Sequence, residues 1–282
     1  MKQSERKNNS TSLRGKEGFE SFYQNLYGDR WLKLKTAFDQ PNMSVEYKIP
    51  GAEKSYFLDV ASVFAASCLP LEGAENILDL CAAPGGKTVV LASRMEEGTK
   101  LTANERSFER KKRLYTVVQE CIPPQINERI EVVCSDGATW CTKKTECFDR
   151  ILLDAPCSSE RHVIADSKYL NQWSLSRIKT VTTEQWALLS SAFRLLVPGG
   201  ILLYSTCALC LQENDGIIER LFKKFPDSFS LLEPAPDTSI LGRCGNFTFP
   251  AFEKKQYGYM ILPDTQNGAG PIYFAIVKKH NV

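Results

Sequence analysis

The chain has 282 residues, of which 43% are hydrophobic and 24% are charged, with a formal net charge of +2 at pH 7. This balance is typical of a soluble globular protein with a sizeable core, and no apolar run reaches the length of a membrane span. The N-terminal residues show neither the apolar segment nor the cleavage pattern of a secretory signal, so we expect an intracellular protein without membrane contact.

The first part of the chain is predicted to be a tail followed by helices. Residues 1–16 are basic and serine-containing and are expected to form a disordered tail. A mitochondrial transit peptide is the alternative, but Glu5 and the poor apolar face argue against it, so we expect a cytoplasmic location with the mitochondrial matrix as the alternative. Helical patterns at 17–38 and 54–69 predict a helical lead-in over residues 17–73.

From residue 74 to 282, short β-rich runs alternate with helical ones, which predicts an α/β domain with a mostly parallel sheet covered by helices. The predicted strands, each quoted with the residues at its C-terminal end, are "NILDLCA", "KLTAN", "RIEVVCSD", "FDRILLDAPC" and "GILLYSTCA". The last runs, "FTFPAF", "YGYMILP" and "GPIYFAIVKK", lack intervening helices. We therefore expect them to form an antiparallel edge of the same sheet.

The ten cysteines are best interpreted as thiols, because a large intracellular chain does not need a disulfide framework. Cys68, Cys121 and Cys134 are expected to be buried packing residues. "CALC" at 207–210 has the CxxC spacing of zinc and redox sites, but the chain holds no second CxxC and has only two histidines. We therefore expect no metal.

The loop after the first predicted strand of the domain, "CAAPGGKT" at 81–88, is a candidate ligand site because open parallel sheets bind ligands beyond their strand ends. Glu105, about twenty residues further on, could hold the ribose hydroxyls of a nucleoside. Asp136 ends the third strand and could meet the adenine. The alternative is a glycine turn that serves packing alone. The loop matches neither GxGxxG nor the P-loop pattern, which argues against a dinucleotide or a nucleoside triphosphate.

Two further strand ends each carry a cysteine, in "DAPCSS" at 154–159 and "LLYSTCAL" at 202–209. Together with "DLCAAPGGKT" at 79–88, these motifs resemble the RNA 5-methylcytosine methyltransferases of the Nop/Sun group, also called the RsmB/NOP family. "FYQNLYGDRW" near the start and "GPIYFAIVKK" near the end resemble the shorter members, and "DAPCSSERH" at 154–162 is similar to the short mitochondrial rRNA and tRNA enzymes and their bacterial relatives. The resemblance spans residues 55–279 and implies a Rossmann-like S-adenosylmethionine-dependent methyltransferase sheet.

The family's chemistry explains why two cysteines are needed. Carbon 5 of cytosine is a weak nucleophile, so a thiolate first adds to carbon 6, and a second group must later help to expel it. The resemblance implies that Cys207 is the nucleophile and Cys157 the residue that assists release. Lys87 is a candidate for activating Cys207. Asp154 is expected to face the Watson–Crick edge of the base and, with a raised pKa, to donate a proton to ring nitrogen 3.

The same resemblance implies a cofactor site for S-adenosylmethionine. The expected site consists of the loop and of four side chains further along the chain. The loop residues are Cys81, Ala82, Ala83, Pro84, Gly85, Gly86 and Lys87, and the later ones are Glu105, Arg110, Asp136 and Asp154. Lys87 is thus expected both in the cofactor site and in catalysis. Arg110 could equally be a solvated surface charge of its helix.

The implied activity is methylation of carbon 5 of a cytosine in RNA, either rRNA or tRNA, by a chain that we expect to be monomeric. An accessory RNA-binding protein is a possible partner, because no additional RNA-binding domain is recognisable. Two rival functions remain open: a catalytically idle RNA-binding or ribosome-assembly factor on the same fold, and a nicotinamide oxidoreductase. Both cysteines and Asp154 argue against the first, and the incomplete glycine fingerprint argues against the second.

Overall fold

Most strands of the protein belong to one mixed sheet, which the computed structural model describes within residues 13–245 and 247–281. The strands are β1 Ser44–Tyr47, β2 Tyr56–Asp59, β3 Asn76–Asp79, β4 Lys100–Asn104, β5 Ile130–Val133, β6 Phe148–Asp154, β7 Leu196–Thr206, β8 Phe229–Leu232, β9 Glu253–Lys254, β10 Tyr259–Ile261 and β11 Ile272–Lys279. The helices are α1 Gly15–Tyr27, α2 Arg30–Phe38, α3 Val60–Ser67, α4 Gly86–Ala92, α5 Phe108–Cys121, α6 Pro124–Asn127, α7 Glu160–Ala165, α8 Ser167–Asn171, α9 Leu175–Leu195 and α10 Asp215–Lys224. Two 3-10 helices, Gly137–Thr142 and Thr238–Arg243, complete the set.

The sheet has the order β5-β4-β3-β6-β7-β11-β10-β9, and β8 also pairs with β11. Neighbours from β5 to β7 are parallel, which confirms the predicted α/β fold with a mostly parallel sheet. The chain moves outward from β3 to β5 and then returns to place β6 on the other side of β3. This reversal opens a crevice at the carboxyl ends of the strands, where α/β sheets bind their ligands.

The C-terminal strands form the predicted antiparallel edge. β11 pairs antiparallel with β7, from Tyr273 opposite Thr206 to Lys278 opposite Ile201. The prediction of a strand at 247–252 is wrong, because this segment is a loop. Strand β8, which was not predicted, joins the sheet by pairing with β11. Phe249 packs on Phe64, with the ring centroids 5.3 Å apart. The aromatic pattern therefore reflects loop packing rather than strand pairing.

The lead-in is only partly helical. α1 and α2 confirm the helical prediction for 17–38, although α1 already begins at Gly15. The helical prediction for 54–69 is wrong in its first third, because residues 56–59 form β2, which pairs with β1 in a hairpin. That pairing joins segments on either side of the Pro50-Gly51 turn and depends on contacts that local periodicity does not encode. Residues 1–12 of the predicted tail lie outside the described residues.

Three apolar clusters hold the elements together. Two lie on opposite faces of the sheet, and the third joins the lead-in to the segment that follows β6. In this third cluster Phe19, Tyr23 and Trp31 pack with Trp173, and each of the four rings is at most 2% exposed. Burial of such rings contributes about 2–3 kcal/mol each, so α1 and α2 are fixed against the segment that follows β6. In the described ranges, no helix has the length and apolarity required to cross a membrane.

Candidate active site

The predicted site residues meet at the carboxyl edge of the parallel strands. One cavity of about 890 Å³ is lined by nine of the predicted positions and by several others; the nine are Cys81, Ala83, Pro84, Glu105, Arg110, Asp136, Asp154, Cys157 and Cys207. An adjoining cavity of about 200 Å³ is lined by Ala82, Gly86 and Lys87 and shares Asp154 with the first. Gly85 lines neither cavity and lies in the turn between them and α5.

The glycines of the 81–87 loop are required by close packing. Gly85 has a φ of +120°, and a Cβ atom there would lie 2.8 Å from Cγ1 of Val117. A Cβ atom on Gly86 would lie 2.8 Å from Cε1 of Tyr56. The packing explanation therefore holds for both glycines, but Cys81, Ala83 and Pro84 of the same loop face the cavity. The loop combines a tight turn with a ligand-facing surface.

Glu105 and Arg110 form a connected pair at the cavity wall. Glu105 is 4% exposed and accepts a hydrogen bond from the backbone N–H of Ser107 at 2.8 Å. Arg110 lies 3.3 Å from the Glu105 carboxylate and donates to the carbonyl oxygen of Ala83 at 2.5 Å. Arg110 therefore links the loop to Glu105 and is not a freely solvated charge. Asp136 lines the same cavity and caps the 3-10 helix by accepting from Ala138 N at 3.1 Å.

Asp154 lies at the centre of a short polar chain. Its Oδ2 is 2.7 Å from Nζ of Lys87, and its Oδ1 accepts from the hydroxyl of Ser205 at 2.7 Å. The parallel register places Ser205 directly opposite Asp154. Burial lowers the pKa of Lys87, but the Asp154 carboxylate outweighs this effect and the net shift of the pKa is upward. Lys87 therefore carries a positive charge, and Cys207 is among the groups that favour this charged form.

The two predicted catalytic cysteines are in contact: their Sγ atoms lie 3.0 Å apart. Either thiol can donate in this contact, and with Cys157 as the donor the hydrogen bond lowers the pKa of Cys207. The same contact, together with burial, raises the pKa of Cys157 well above its ordinary value. With this donor Cys207 is the more readily ionised thiol of the pair, and its role as the nucleophile stays a prediction.

Several residues of the site were not predicted. Ser159 and His162 line the main cavity, and Ser62 and Ser205 extend the polar chain around Lys87 and Asp154. Ser159 has a φ of +55°, an uncommon value for a residue with a side chain and one often found at functional positions. Ser159 lies two residues after Cys157, and this proximity in the sequence was the signal that could have predicted it as a site residue.

The remaining cysteines agree only in part with the prediction. All ten are free thiols, and Cys68 and Cys121 are buried as expected. Cys134 is exposed, contrary to expectation, because it follows the end of the edge strand β5 and points to the backbone of Arg106. The described part of the chain contains no cluster of three or more His, Cys, Asp or Glu side chains that could hold a metal ion.

Comparison with known proteins shows the family to which the chain belongs. The family model of the 16S rRNA methyltransferase RsmB/F matches residues 66–275. The mouse 5-cytosine rRNA methyltransferase NSUN4 is 31% identical over 226 residues, covering 78% of this chain and 58% of that protein. The ribosomal RNA small subunit methyltransferase F of Aeromonas hydrophila is 40% identical over 178 residues, covering 63% of this chain and 36% of that protein. The chain thus spans about half the length of the former relative and about a third of the latter.

A solved structure of a methyltransferase homolog protein from Pyrococcus horikoshii has the same fold. It superposes with a TM-score of 0.66 at 21% identity and covers 93% of this chain and 95% of that one. At this identity the likeness concerns the fold alone. The family model covers well over half of the chain, including the 81–87 loop and both cysteine motifs, and the chain therefore belongs to the RsmB/F family of 16S rRNA methyltransferases.

Proposed function

We propose that the chain methylates carbon 5 of a cytosine in RNA, using S-adenosylmethionine and a covalent adduct between Cys207 and carbon 6 of the base. The observation that carries this proposal is the contact of two thiols, 3.0 Å apart, in the cavity that Asp154 also lines. A catalytically idle binding factor would not need two sulfur atoms in contact, nor a charged pair such as Lys87 and Asp154 beside them.

The cavity fits S-adenosylmethionine better than a dinucleotide. Its volume of about 890 Å³ is in the range of small-molecule sites. The basic side chains at this edge are already paired with carboxylates, Arg106 with Glu184, Arg110 with Glu105 and Lys87 with Asp154, so they offer little to a pyrophosphate. Glu105 and Asp136 supply acceptors for the hydroxyls and amine of a nucleoside, with the 81–87 loop and Asp154 towards its methionine end. S-adenosylmethionine supplies, when bound, an electrophilic methyl group on a sulfonium centre.

The first covalent step uses the thiolate of Cys207. Its Sγ bonds to carbon 6, and the π electrons of the 5,6 double bond move onto carbon 5, which becomes nucleophilic. The contact with Cys157 favours this step, since the donated hydrogen bond lowers the pKa of Cys207. Lys87 adds positive charge at the same edge.

Release of the product uses Cys157. When carbon 5 carries both a methyl group and its original proton, a base must remove that proton. The double bond then re-forms and the bond between carbon 6 and Sγ breaks, which returns Cys207 as a thiolate. Contact with Cys207 is the first cause of the raised pKa of Cys157, and this cause disappears once Cys207 is bonded to carbon. Cys157 can then lose its proton to solvent and act as the base.

Lys87 and Asp154 form the polar wall that we assign to the Watson–Crick edge of the cytosine. Both carboxylate oxygens of Asp154 already accept hydrogen bonds, from Lys87 and from Ser205. The predicted donation from Asp154 to ring nitrogen 3 therefore requires the entering base to displace one of these donors. Lys87 can then donate to the base directly as negative charge develops on the ring.

Among RNA substrates, rRNA is favoured, because the names of the related proteins from mouse and from Aeromonas both specify rRNA. The cytoplasmic location, the monomeric state and an accessory RNA-binding protein stay predictions.

The proposal is tested by trapping the adduct. Cys157→Ser expressed in the native cell type should carry covalently bound RNA that survives denaturing electrophoresis and disappears with RNase. Cys157→Ser/Cys207→Ser is the matched control and should carry none. Sequencing the trapped RNA would identify the substrate. A chain that binds S-adenosylhomocysteine in calorimetry but never traps RNA would favour the idle-factor alternative.

A further inference from the structure

Each of the two loops that carry a catalytic cysteine also carries a buried carboxyl group. Glu160 follows Cys157 at the start of α7 and is 1% exposed. Glu213 follows Cys207 just before α10 and is 0% exposed. Neither side chain lines the cavity with the thiols, so neither is placed to touch a substrate. They lie beneath the site.

The two carboxyl groups cross between the loops in a reciprocal way. Oε2 of Glu160 accepts from the backbone N–H of Leu209, two residues after Cys207, at 2.8 Å. Oε2 of Glu213 accepts from the backbone N–H of Ser158, the residue after Cys157, at 2.9 Å. Each loop is therefore tied to the backbone of the other within two residues of the reacting sulfur.

Further donors fix each carboxyl group in place. Oε1 of Glu160 accepts from the hydroxyls of Tyr23 and Ser158, and Tyr23 belongs to α1 of the lead-in. Oε2 of Glu213 also accepts from Nε2 of Gln185 at 3.1 Å, and the same amide nitrogen donates to the carbonyl oxygen of Pro156 at 2.9 Å. The lead-in, α9 and both cysteine loops thus converge on these two residues.

Stability alone does not explain this arrangement. Two carboxyl groups buried close together repel each other and are costly to desolvate, and apolar side chains of similar volume commonly replace such groups without loss of stability. Oε1 of Glu213 also has no hydrogen-bond partner among the residues that the structure describes. Strained or incompletely satisfied polar groups next to an active site indicate a role in its geometry.

We propose that Glu160 and Glu213 are positioning residues that hold Cys157 beside Cys207, so that Cys157 can act in the release of the methylated base. The inference rests on the proposed function for its catalytic consequence, but the spacing of the thiols can be measured without it. The brace formed by these two carboxyl groups is expected to act mainly on the release step, because formation of the adduct keeps its nucleophile, Cys207, and loses only the hydrogen bond from Cys157 that favours it.

The first measurement concerns the thiols alone. In a buffer of oxidised and reduced glutathione, one cysteine displaces a glutathione thiolate from the oxidised form, and the second displaces the other glutathione as the Cys157–Cys207 disulfide forms. The ratio of the disulfide form to the dithiol form at equilibrium is measured by mass spectrometry of the linked peptides. This ratio gives the effective concentration of one thiol at the position of the other. Both oxygens of Glu160 accept hydrogen bonds, so Glu160→Gln puts a donor where an acceptor is needed, and Glu213→Ala removes the acceptor for Ser158 N. Each of these variants should lower the effective concentration about tenfold. Tyr23→Phe, which removes one donor, should lower it less, and Glu219→Gln, at a half-exposed position on α10, should leave it unchanged.

Glu213→Gln supplies the conservative comparison. An amide keeps an acceptor for Ser158 N, so this variant should stay near the wild-type effective concentration although it removes a titratable group. Circular dichroism and thermal melts establish which variants are folded. If Glu160→Gln fails to fold, Tyr23→Phe and Glu213→Ala carry the test. Equal effective concentrations in every folded variant would overturn the proposal.

The second measurement uses RNA. Glu160→Gln with both cysteines intact should accumulate denaturation-resistant RNA adduct, as Cys157→Ser does, and Cys157→Ser/Glu160→Gln should accumulate no more than Cys157→Ser. Loss of folding alone would reduce adduct in every background. Normal adduct turnover in folded Glu160→Gln would contradict the brace. Absence of adduct from Cys157→Ser itself would contradict the proposed function, while the thiol measurement would still decide the brace.

Discussion

The Sγ atoms of Cys157 and Cys207 lie 3.0 Å apart, although 50 residues separate them in the sequence. The parallel pairing of β6 with β7 produces this contact, because it sets Asp154 opposite Ser205 and lets both strands end at the same level. With Cys157 as the hydrogen-bond donor and Cys207 as the acceptor, the pKa of Cys157 is raised and that of Cys207 is lowered.

Cys157→Ala is therefore expected to raise the pKa of Cys207, because it removes the donor that stabilises the thiolate. If the pKa rises by about one, alkylation of Cys207 by iodoacetamide at neutral pH slows about tenfold. Cys157→Ser keeps a hydroxyl donor and should show a smaller change. Peptide mass spectrometry over a pH series gives the rate profile, with the exposed Cys134 as an internal reference. Identical profiles for Cys207 in wild type and Cys157→Ala would contradict the assignment of the donor.

The ion pair of Lys87 with Asp154 should contribute measurable coupling. The two side chains are 13% and 33% exposed, so the pair is better shielded than a surface salt bridge. A double-mutant cycle of Lys87→Met and Asp154→Asn, followed by urea unfolding, should give a coupling of about 1–3 kcal/mol. Both single variants should also lose methyl transfer. A coupling below about 0.3 kcal/mol would mean that the pair is as weak as an exposed one.

The strand ends could be predicted from the sequence because each is a local event. β4 has the predicted bounds of Lys100–Asn104, and the polar residues at successive strand ends all reach one cavity. A strand that stops at Asp154 or Thr206 delivers the next residues to the carboxyl edge whatever lies beneath them.

The support beneath the site could not be predicted in this way. Tyr23, Glu160, Gln185 and Glu213 come from four separate segments and meet only through tertiary packing. In the sequence, Glu160 and Glu213 look like ordinary helix-start acids, which usually are solvent-exposed. The β1–β2 hairpin escaped prediction for the same reason, since its pairing is not encoded in either strand alone.

Gly85→Ala should test how tightly the 81–87 loop is packed. The substitution combines a φ of +120° with a contact of 2.8 Å to Val117, so we expect a loss of about 2–4 kcal/mol of unfolding free energy. Gly73→Ala is the matched control, because Gly73 has a φ of +64° but nothing within 4 Å of its added Cβ. It should cost only about 1 kcal/mol. Gly85→Ala should also cost less in a Val117→Ala background. Equal costs for both glycines in urea unfolding would show that the Val117 contact is unimportant.

The stability of the protein should fall as the pH rises from 5 to 8, partly because of Glu213. Burial, and after it the neighbouring Glu160, raise the pKa of Glu213 to about 7. A carboxyl group with a raised folded-state pKa contributes stability that is complete below its ordinary value of 4.5 and is lost as the pH rises through about 7. Besides Glu160, the titratable groups close to Glu213 are Cys157, Cys210, Tyr23 and Tyr204.

Glu213→Gln, which cannot ionise, should reduce this decline by about 1–3 kcal/mol between pH 5 and 8 in urea unfolding. Asp79 is expected to leave a residual decline of the unfolding free energy with pH, because burial also raises its pKa to about 7. Its Oδ1 is buried and has no hydrogen-bond partner among the described residues. Asp79→Asn should remove that part, and Glu219→Gln, at a half-exposed position, should leave the pH dependence unchanged. If Glu213→Gln keeps the full pH dependence of the wild type, Glu213 is already ionised at pH 5 and the buried pair is stabilised by other means.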